Sequence, residues 1–370
     1  MSAPARAAAL ATMRQEIEHQ VADLAGALRA ARGEIERLAA EMAKARRTIS
    51  TGIGDSHLAG RLAAEMLGSS DAFAACSAEE LARCDAGPGT LVLCQSISGT
   101  TSITLAAARL LRHRGARIAA VTSEPSTPLA ELSDLTVVLP IPRYPPDAKV
   151  PGTCTVSIPV AAIVAAAGVA RGADVDGAFT AVVNDLREAL AEGARLLDSQ
   201  SSAMRTPRAA QIVARPGSAV AAYLQAKLAE TAGITASIGS AEEWLHVAKH
   251  AVDAGVLVIA LASGCEPLLL DAIAGECAAR GGSFATTMPR PAIDAPTDGL
   301  HLSLAAGFPA PARRELLRDL AFSQHVALHL LGEEGEWAPF QLHRLSKESV
   351  RGISRRHWHA EPAGIHQEES

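Results

Sequence analysis

The sequence predicts an α/β protein: two tandem doubly wound, flavodoxin-like units with parallel sheets, preceded by an N-terminal helical segment. Three observations carry that prediction. Short apolar runs of strand length alternate with Ala/Leu-rich helical segments over residues 48–140, the pattern of strands joined by crossover helices. The alternation starts again near residue 210 and continues to about 331. Residues 11–46 instead carry a helical period of apolar residues (Met13, Ile17, Val21, Leu24, Leu28, Ile35, Leu38, Met42) with mixed charges between them. The segments are therefore 1–46 helical, 47–200 a first unit, 201–350 a second, and 351–370 a tail.

Composition narrows the class. The 370 residues are 48% hydrophobic but only 3% aromatic, which suits a helix-rich globular chain with ample core. A net charge of −6 without a basic stripe argues against a nucleic-acid partner. The six cysteines are scattered with no C-x-x-C spacing, as expected of small core residues in a reducing compartment. No basic-then-apolar leader and no uncharged apolar run of about 18 residues is present, so the expectation is a cytoplasmic chain without a membrane partner.

In chain order, the N-terminal helix has one apolar stripe, which either packs on the body or mediates dimerisation; Gly33 is a candidate break. Thr48–Ser56 is a strand ending in a Gly-rich turn, followed by a helix from His57 to Leu67. Phe73–Cys76 is a short strand, and Ser77-Ala-Glu-Glu80 reads as a capping box opening a helix. Leu91–Cys94 is a strand, followed by the turn Gln95–Thr101 and a helix to about Leu110. Arg117–Val121 and Leu135–Leu139 are strands, and Pro140–Pro151 is a loop. Helices at Val156–Ala170 and Ala173–Leu197 end in the polar stretch that marks the domain boundary. The second unit places strands at Gln211–Ala214, Ile234–Ser237, Val256–Ala262, Ser283–Thr287 and Leu300–Ser303. Its helices are Ala219–Thr231, stopped by Gly233, then Ala241–Val252, Pro267–Arg280 and Ala312–Leu331.

Two turns of the first unit suggest chemistry. A strand, a small polar turn and a helix start make an anion pocket, because unpaired backbone N–H groups and the positive end of the helix dipole face the turn. In the turn after Leu91–Cys94, Ser96, Ser98, Thr100 and Thr101 add hydroxyls and Gly99 lets the backbone come close. A phosphate is the natural occupant, although the same residues would serve as ordinary caps. The turn at Gly54-Asp55-Ser56 has the same plan, with Asp55 ill suited to phosphate unless it caps the helix or meets a sugar hydroxyl.

These residues resemble the tandem sugar isomerase (SIS) domain family. That family includes the isomerase half of glucosamine-6-phosphate synthase, fructosamine-phosphate deglycases and amino-sugar-phosphate deaminases. The family's S-x-S-G-x-T phosphate loop is matched by Ser96-Ile97-Ser98-Gly99-Thr100-Thr101, and its G-T-S turn by Gly54-Asp55-Ser56, followed by Ala59-Gly60. Its K-x-x-E appears as Lys227-Leu-Ala-Glu230, and its histidine, sixteen residues beyond that Glu, as His246. Leu345-Ser346-Lys347 resembles its C-terminal lysine segment. Departures are Ile97 for a Gln, Thr100 and Ile103 for acids, Asp55 for a Thr and Val247 for a Gly. The lysine of an S-T-K motif near Thr153-Cys154-Thr155-Val156 is missing. They bear on the substrate more than on the reaction.

The resemblance implies two tandem SIS domains and aldose–ketose isomerisation, or the linked deamination or deglycation, of a phosphorylated sugar or amino sugar. Glu230 would move the proton between C1 and C2 as a base, and Lys227 would hold it or stabilise the developing oxyanion. His246 would open the ring, and Lys347 would close over the site. Gly54, Asp55, Ser56, Ser96, Ser98, Gly99 and Thr101 would bind the substrate. Taken alone, the Lys–Glu pair reads as a surface ion pair, His246 as a packed ring and Lys347 as solvated. No cofactor and no metal are implied, and the H-x-H tail (His357, His359) lacks supporting ligands. A homodimer is expected, and a silent phosphosugar sensor or a sugar carrying sulfonate or carboxylate are the alternatives.

Overall fold

The computed structural model describes residues 3–68, 72–81, 84–142, 152–204, 207–265, 267–288 and 313–332. Two helices open the chain, α1 (Ala3–Ala30) and α2 (Arg32–Lys44). They part at Ala31, two residues before Gly33, while Ile35 N still donates to Ala31 O at 2.9 Å. The apolar stripe is satisfied inside the chain. Met13, Ile17, Leu24, Leu28, Ile35 and Leu38 are buried, because α1 packs on three later helices, α6 (Cys154–Ala170), α7 (Val175–Gln200) and α11 (Arg313–Gly332), and α2 packs on α6.

The first sheet contains β1 (Arg47–Gly52), β2 (Phe73–Ser77), β3 (Thr90–Gln95), β4 (Arg117–Thr122) and β5 (Leu135–Val138), in the order β2-β1-β3-β4-β5. All of its pairings are parallel. Its helices are α3 (Asp55–Met66), α4 (Ser102–His113) and the short α5 (Pro128–Glu131). The second sheet is also parallel, with the order β7-β6-β8-β9 for β6 (Ala209–Val213), β7 (Thr235–Gly239), β8 (Val256–Ala260) and β9 (Ser283–Thr286). Its helices are α8 (Ala219–Ala232), α9 (Ala241–His246) and α10 (Pro267–Ala279).

Strand alternation divides the core. Leu91 and Leu93 of β3, with Ile212 of β6 and Ile259 of β8, join one cluster that runs through both units by way of α6, α7 and α11. Val92 and Cys94 face a second cluster under α4, and Val213, Val258 and Trp244 face a third in the other unit. Each sheet is thus covered on both faces, as parallel sheets require. Helices α3 and α8 pack on each other between the sheets. Among the described residues no helix is long and apolar enough to cross a membrane.

Two expectations need correction, and two fall outside the described residues. Among the described residues Ser77 opens no α-helix: its Oγ accepts Glu80 N at 3.2 Å and donates to Glu80 Oε2 at 2.9 Å, closing a single turn. The chain must return to β3 through Gly87-Pro88-Gly89, which helical backbone does not accommodate. The helix expected over 241–252 stops at His246, where Val247 takes φ −124° and ψ −59° before a 3₁₀ turn at Ala248–Ala251. The strand expected at Leu300–Ser303 and the tail from 351 lie outside the described residues.

Candidate active site

In a parallel sheet whose strand order reverses, the crevice beyond the strand C-termini at the reversal is where ligands bind. Here the reversal falls between β1 and β3, and the two Ser/Thr/Gly turns leave those strands. They begin close together: a Cβ on Gly52 would stand 2.9 Å from Gln95 O and 2.7 Å from Ser56 Cβ. Gln95 Nε2 also donates to Ser50 Oγ at 2.6 Å beneath them.

The turn after β3 is rigidly built. Gly99 has φ +60°, and a Cβ there would meet Thr127 Oγ1 at 2.2 Å, so only glycine fits. Gly99 N donates to Ser96 O at 2.9 Å, and Leu129 N donates to Gly99 O at 3.1 Å. Ile97 O receives Ser123 N, Ser123 Oγ and Thr122 Oγ1 at 2.9–3.1 Å. The hydroxyls pair among themselves, Ser96 with Thr101 and Ser98 with Thr100, both at 2.9 Å. Thr101 precedes α4 in extended backbone, and no side chain caps that helix. Its first N–H groups, four hydroxyl-bearing residues and a close-approach glycine are thus gathered at one helix start.

Helix α3 starts just after Gly54, which has φ +58°. Asp55 points away from the turn and across to the second unit. Its Oδ1 and Oδ2 receive Lys227 Nζ at 2.9 and 3.0 Å, and Oδ2 also receives Thr155 Oγ1 at 2.6 Å. Lys227 Nζ reaches Glu230 Oε2 at 2.8 Å as well and lies 5.3 Å from the centroid of the Tyr223 ring. Lys227 is 1% exposed, while Glu230 is about one-third exposed. Burial alone would pull the Lys227 amine down, but the Asp55 and Glu230 carboxylates outweigh it and its pKa is raised. The lysine is a buried cation shared between two acids.

The sequence prediction is therefore divided. Lys227, Glu230 and Asp55 come together, with Ser56 and Gly54 at the same helix start. Ser96, Ser98, Gly99 and Thr101 form the neighbouring turn. His246 does not join the cluster. Its side chain is 78% exposed and stands 3.7 Å from Glu242. Trp244, two residues earlier and hence on the opposite side of the helix, is buried and donates Nε1 to Gln211 Oε1 at 2.7 Å; that anchor turns His246 outward. Lys347 lies outside the described residues.

Three residues of the cluster were not singled out from sequence as site residues. Thr155 lies within the stretch Thr153–Val156, near which the S-T-K motif of the resemblance falls. Tyr223 precedes Lys227 by four residues, the spacing of one helix face. Glu16 of α1, buried among apolar residues, accepts Thr153 N at 2.9 Å and Thr153 Oγ1 at 3.2 Å; burial raises its pKa against those bonds. Its position on the buried stripe of α1, between Met13 and Gln20, was the available signal.

Residues 41–168 match the family model described as the SIS domain. That match takes in about a third of the chain. Over 52 residues it is 48% identical to a 3-hexulose-6-phosphate isomerase from Mycobacterium gastri. That match takes in 14% of this chain and about a quarter (26%) of the relative's length. Several solved structures share the fold over most of the protein. The C-terminal domain of a Francisella tularensis glucosamine-fructose-6-phosphate aminotransferase superposes with a TM-score of 0.62 at 19% identity, covering 86% of this chain and 96% of that one. A Thermotoga maritima glucosamine-6-phosphate deaminase gives 0.63 at 16% identity, covering 86% and 94%. A tagatose-6-phosphate ketose/aldose isomerase from Escherichia coli gives 0.58 at 17% identity, covering 89% and 96%. At these identities the likeness is one of fold.

Proposed function

We propose that the protein is a sugar-phosphate isomerase-type enzyme built from two tandem, doubly wound SIS domains, residues 47–200 and 201–350. Its substrate on this reading is a phosphorylated sugar or amino sugar, and its reaction aldose–ketose isomerisation or the linked deamination or deglycation. The observation that carries this reading is the bonding of Asp55, at the turn after β1, to the Lys227–Glu230 pair of the other unit, while an uncapped Ser/Thr/Gly turn leaves the neighbouring strand β3 at the reversal of the first sheet. The turn Ser96–Thr101 holds the phosphate through α4 N–H groups and hydroxyls, which positions the reacting carbons. Glu230, partly open, takes the proton at C2 and returns it at C1. Lys227 stays charged and fixes the Glu230 carboxylate. Substrates with an amine on C1 or C2 would follow the same proton transfer, with loss of the amine when the imine is hydrolysed.

A second reading has its own support. All the donors of Lys227 seen in the structure go to Asp55 and Glu230, and His246 faces solvent. A phosphosugar-binding protein without turnover would look the same, unless a second copy of the chain brings His246 to the site. One experiment separates them. Phosphorylated hexoses and amino-hexoses are screened by thermal shift, and the binders are incubated in deuterated water and followed by NMR. The enzyme reading expects deuterium at C2 with the wild type and none with Glu230→Gln, which still binds. Binding without exchange in the wild type establishes the sensor. Exchange undiminished in Glu230→Gln removes Glu230 as the base.

A further inference from the structure

The turn after β2 brings two thiols into contact outside the site just described. Cys76, in β2, and Cys84 are both partly buried and both reduced. Their sulfurs lie 2.9 Å apart, Cys84 donating to Cys76. A disulfide requires about 2.05 Å, so bonding calls for less than about 1 Å of further approach. The turn is otherwise closed by Ser77 and Glu80, and Cys84 Sγ also leans on Glu80 O at 4.0 Å. Cys94, Cys154, Cys265 and Cys277 are buried in the core. Cys76 stands in register with Thr51 of β1, the strand that leads into the Gly54–Ser56 turn.

We propose that Cys76 and Cys84 form a dithiol modification site, which low-molecular-weight disulfides convert reversibly into an intramolecular disulfide across the turn after β2. Nothing in this proposal depends on the phosphosugar reading. The order of attack follows from the surroundings. Burial first, then the Cys84 hydrogen bond and nearby charges, push the Cys76 thiol up to about 12, so Cys76 is the poorer first nucleophile and the opening attack is assigned to the Cys84 thiolate. That thiolate attacks one sulfur of the reagent R–S–S–R, forming a mixed disulfide and expelling one thiol. Cys76 then attacks the Cys84 sulfur and loses its proton, and the second thiol leaves. The protein dithiol gives up two protons and two electrons; the reagent takes both and ends as two thiols. The product pins the Ser77–Glu80 turn to the strand beside β1.

The test uses the full chain and oxidised glutathione, with dithiothreitol as the reverse arm. Free thiols are counted after denaturation, and non-reducing peptide maps locate the link. Trypsin cuts after Arg83, so Cys76 and Cys84 fall on different peptides; Cys94 shares the Cys84 peptide, and fragment-ion sequencing of the linked pair assigns the bond to Cys84 or Cys94. The count should drop from six by two and recover with dithiothreitol. The Cys76→Ser variant should retain one glutathione on Cys84, while Cys84→Ser should take up none at position 76. A count that stays at six, a link to any of the buried cysteines, or a Cys84→Ser protein that loads glutathione on Cys76 as readily as Cys76→Ser does on Cys84 would overturn the proposal.

Discussion

The two units end their central strands in turns of the same kind and fill them differently. In the second unit the protein's own carboxylates occupy the helix starts and turn amides. Glu65 of α3 accepts Ala219 N, the first amide of α8, at 2.7 Å and pairs with Arg215 at 2.6 Å. Asp319 of α11 accepts Ser263 N at 2.8 Å in the turn after β8. In the first unit, Glu16 takes the same place ahead of α6. At α4, among the described residues, no carboxylate and no capping side chain meets the helix start. A helix N-terminus attracts any anion, so a fold with several of them would bind phosphate indiscriminately unless most were satisfied from within. Internal acids at these three places leave the α4 start, with hydroxyls alone, the more open to an added anion, beside the α3 start after Gly54, which also lacks a side-chain cap.

The largest expected effect comes from breaking the open turn. Gly99→Val puts a branched side chain at φ +60° into Thr127. It should cost roughly 3 kcal/mol or more by overpacking and backbone strain together, measured by urea unfolding. It should also abolish thermal stabilisation by inorganic phosphate and sugar phosphates. A variant that keeps the phosphate response would place the anion elsewhere and break the comparison. Next comes the cation that joins the units. Lys227→Met leaves Asp55 and Glu230 facing each other without their shared charge, and should cost about 2–4 kcal/mol, less than a fully buried pair because Glu230 is partly exposed. A loss below about 0.5 kcal/mol would show that the pair is solvated in solution.

Much of this contrast was readable and part of it was not. Alternation of apolar runs located all nine described strands, and the residue types of 96–101 located the open turn, because both are local patterns. Helix length after Ser77 and after Ala241 was not, since the need to return to the sheet, and a β-branched residue at 247, ended those helices. The direction of His246 depends on where Trp244 is buried. The closing acids are invisible to any local reading: Glu65 and Ala219 are 154 residues apart, Ser263 and Asp319 are 56 apart. Glu65 in sequence is one more acid on an amphipathic helix.

Glu65 offers a sharper test than either site residue, because its removal should make the two units more alike. Glu65→Ala leaves Arg215 and the α8 amides without their carboxylate, at a cost of about 1–3 kcal/mol. Added phosphate or sulfate should recover part of that loss by occupying the vacated helix start. The variant should therefore gain more in melting temperature from phosphate than the wild type does, and the excess should persist when Ser98→Ala weakens the open turn. An equal response in both proteins would show that Glu65 is a packing residue and excludes no anion.

The smallest effect is a pH slope. Burial raises the Asp319 carboxyl above its ordinary range, against its bonds to Ser263 and Thr287. The folded state therefore holds that proton more tightly than the unfolded chain. Its contribution to stability is fully present below about pH 4, the unfolded value, and is lost as pH rises toward the folded value. Asp319→Asn keeps an oxygen for Ser263 N–H and does not titrate. Its stability relative to wild type should rise with pH across that window and level off above it, as followed by urea unfolding at a series of pH values. A difference independent of pH would mean that the Asp319 proton is held equally in both states. Asp319 would then satisfy the turn amide as an ordinary ionised acceptor, with no stability lost as pH rises.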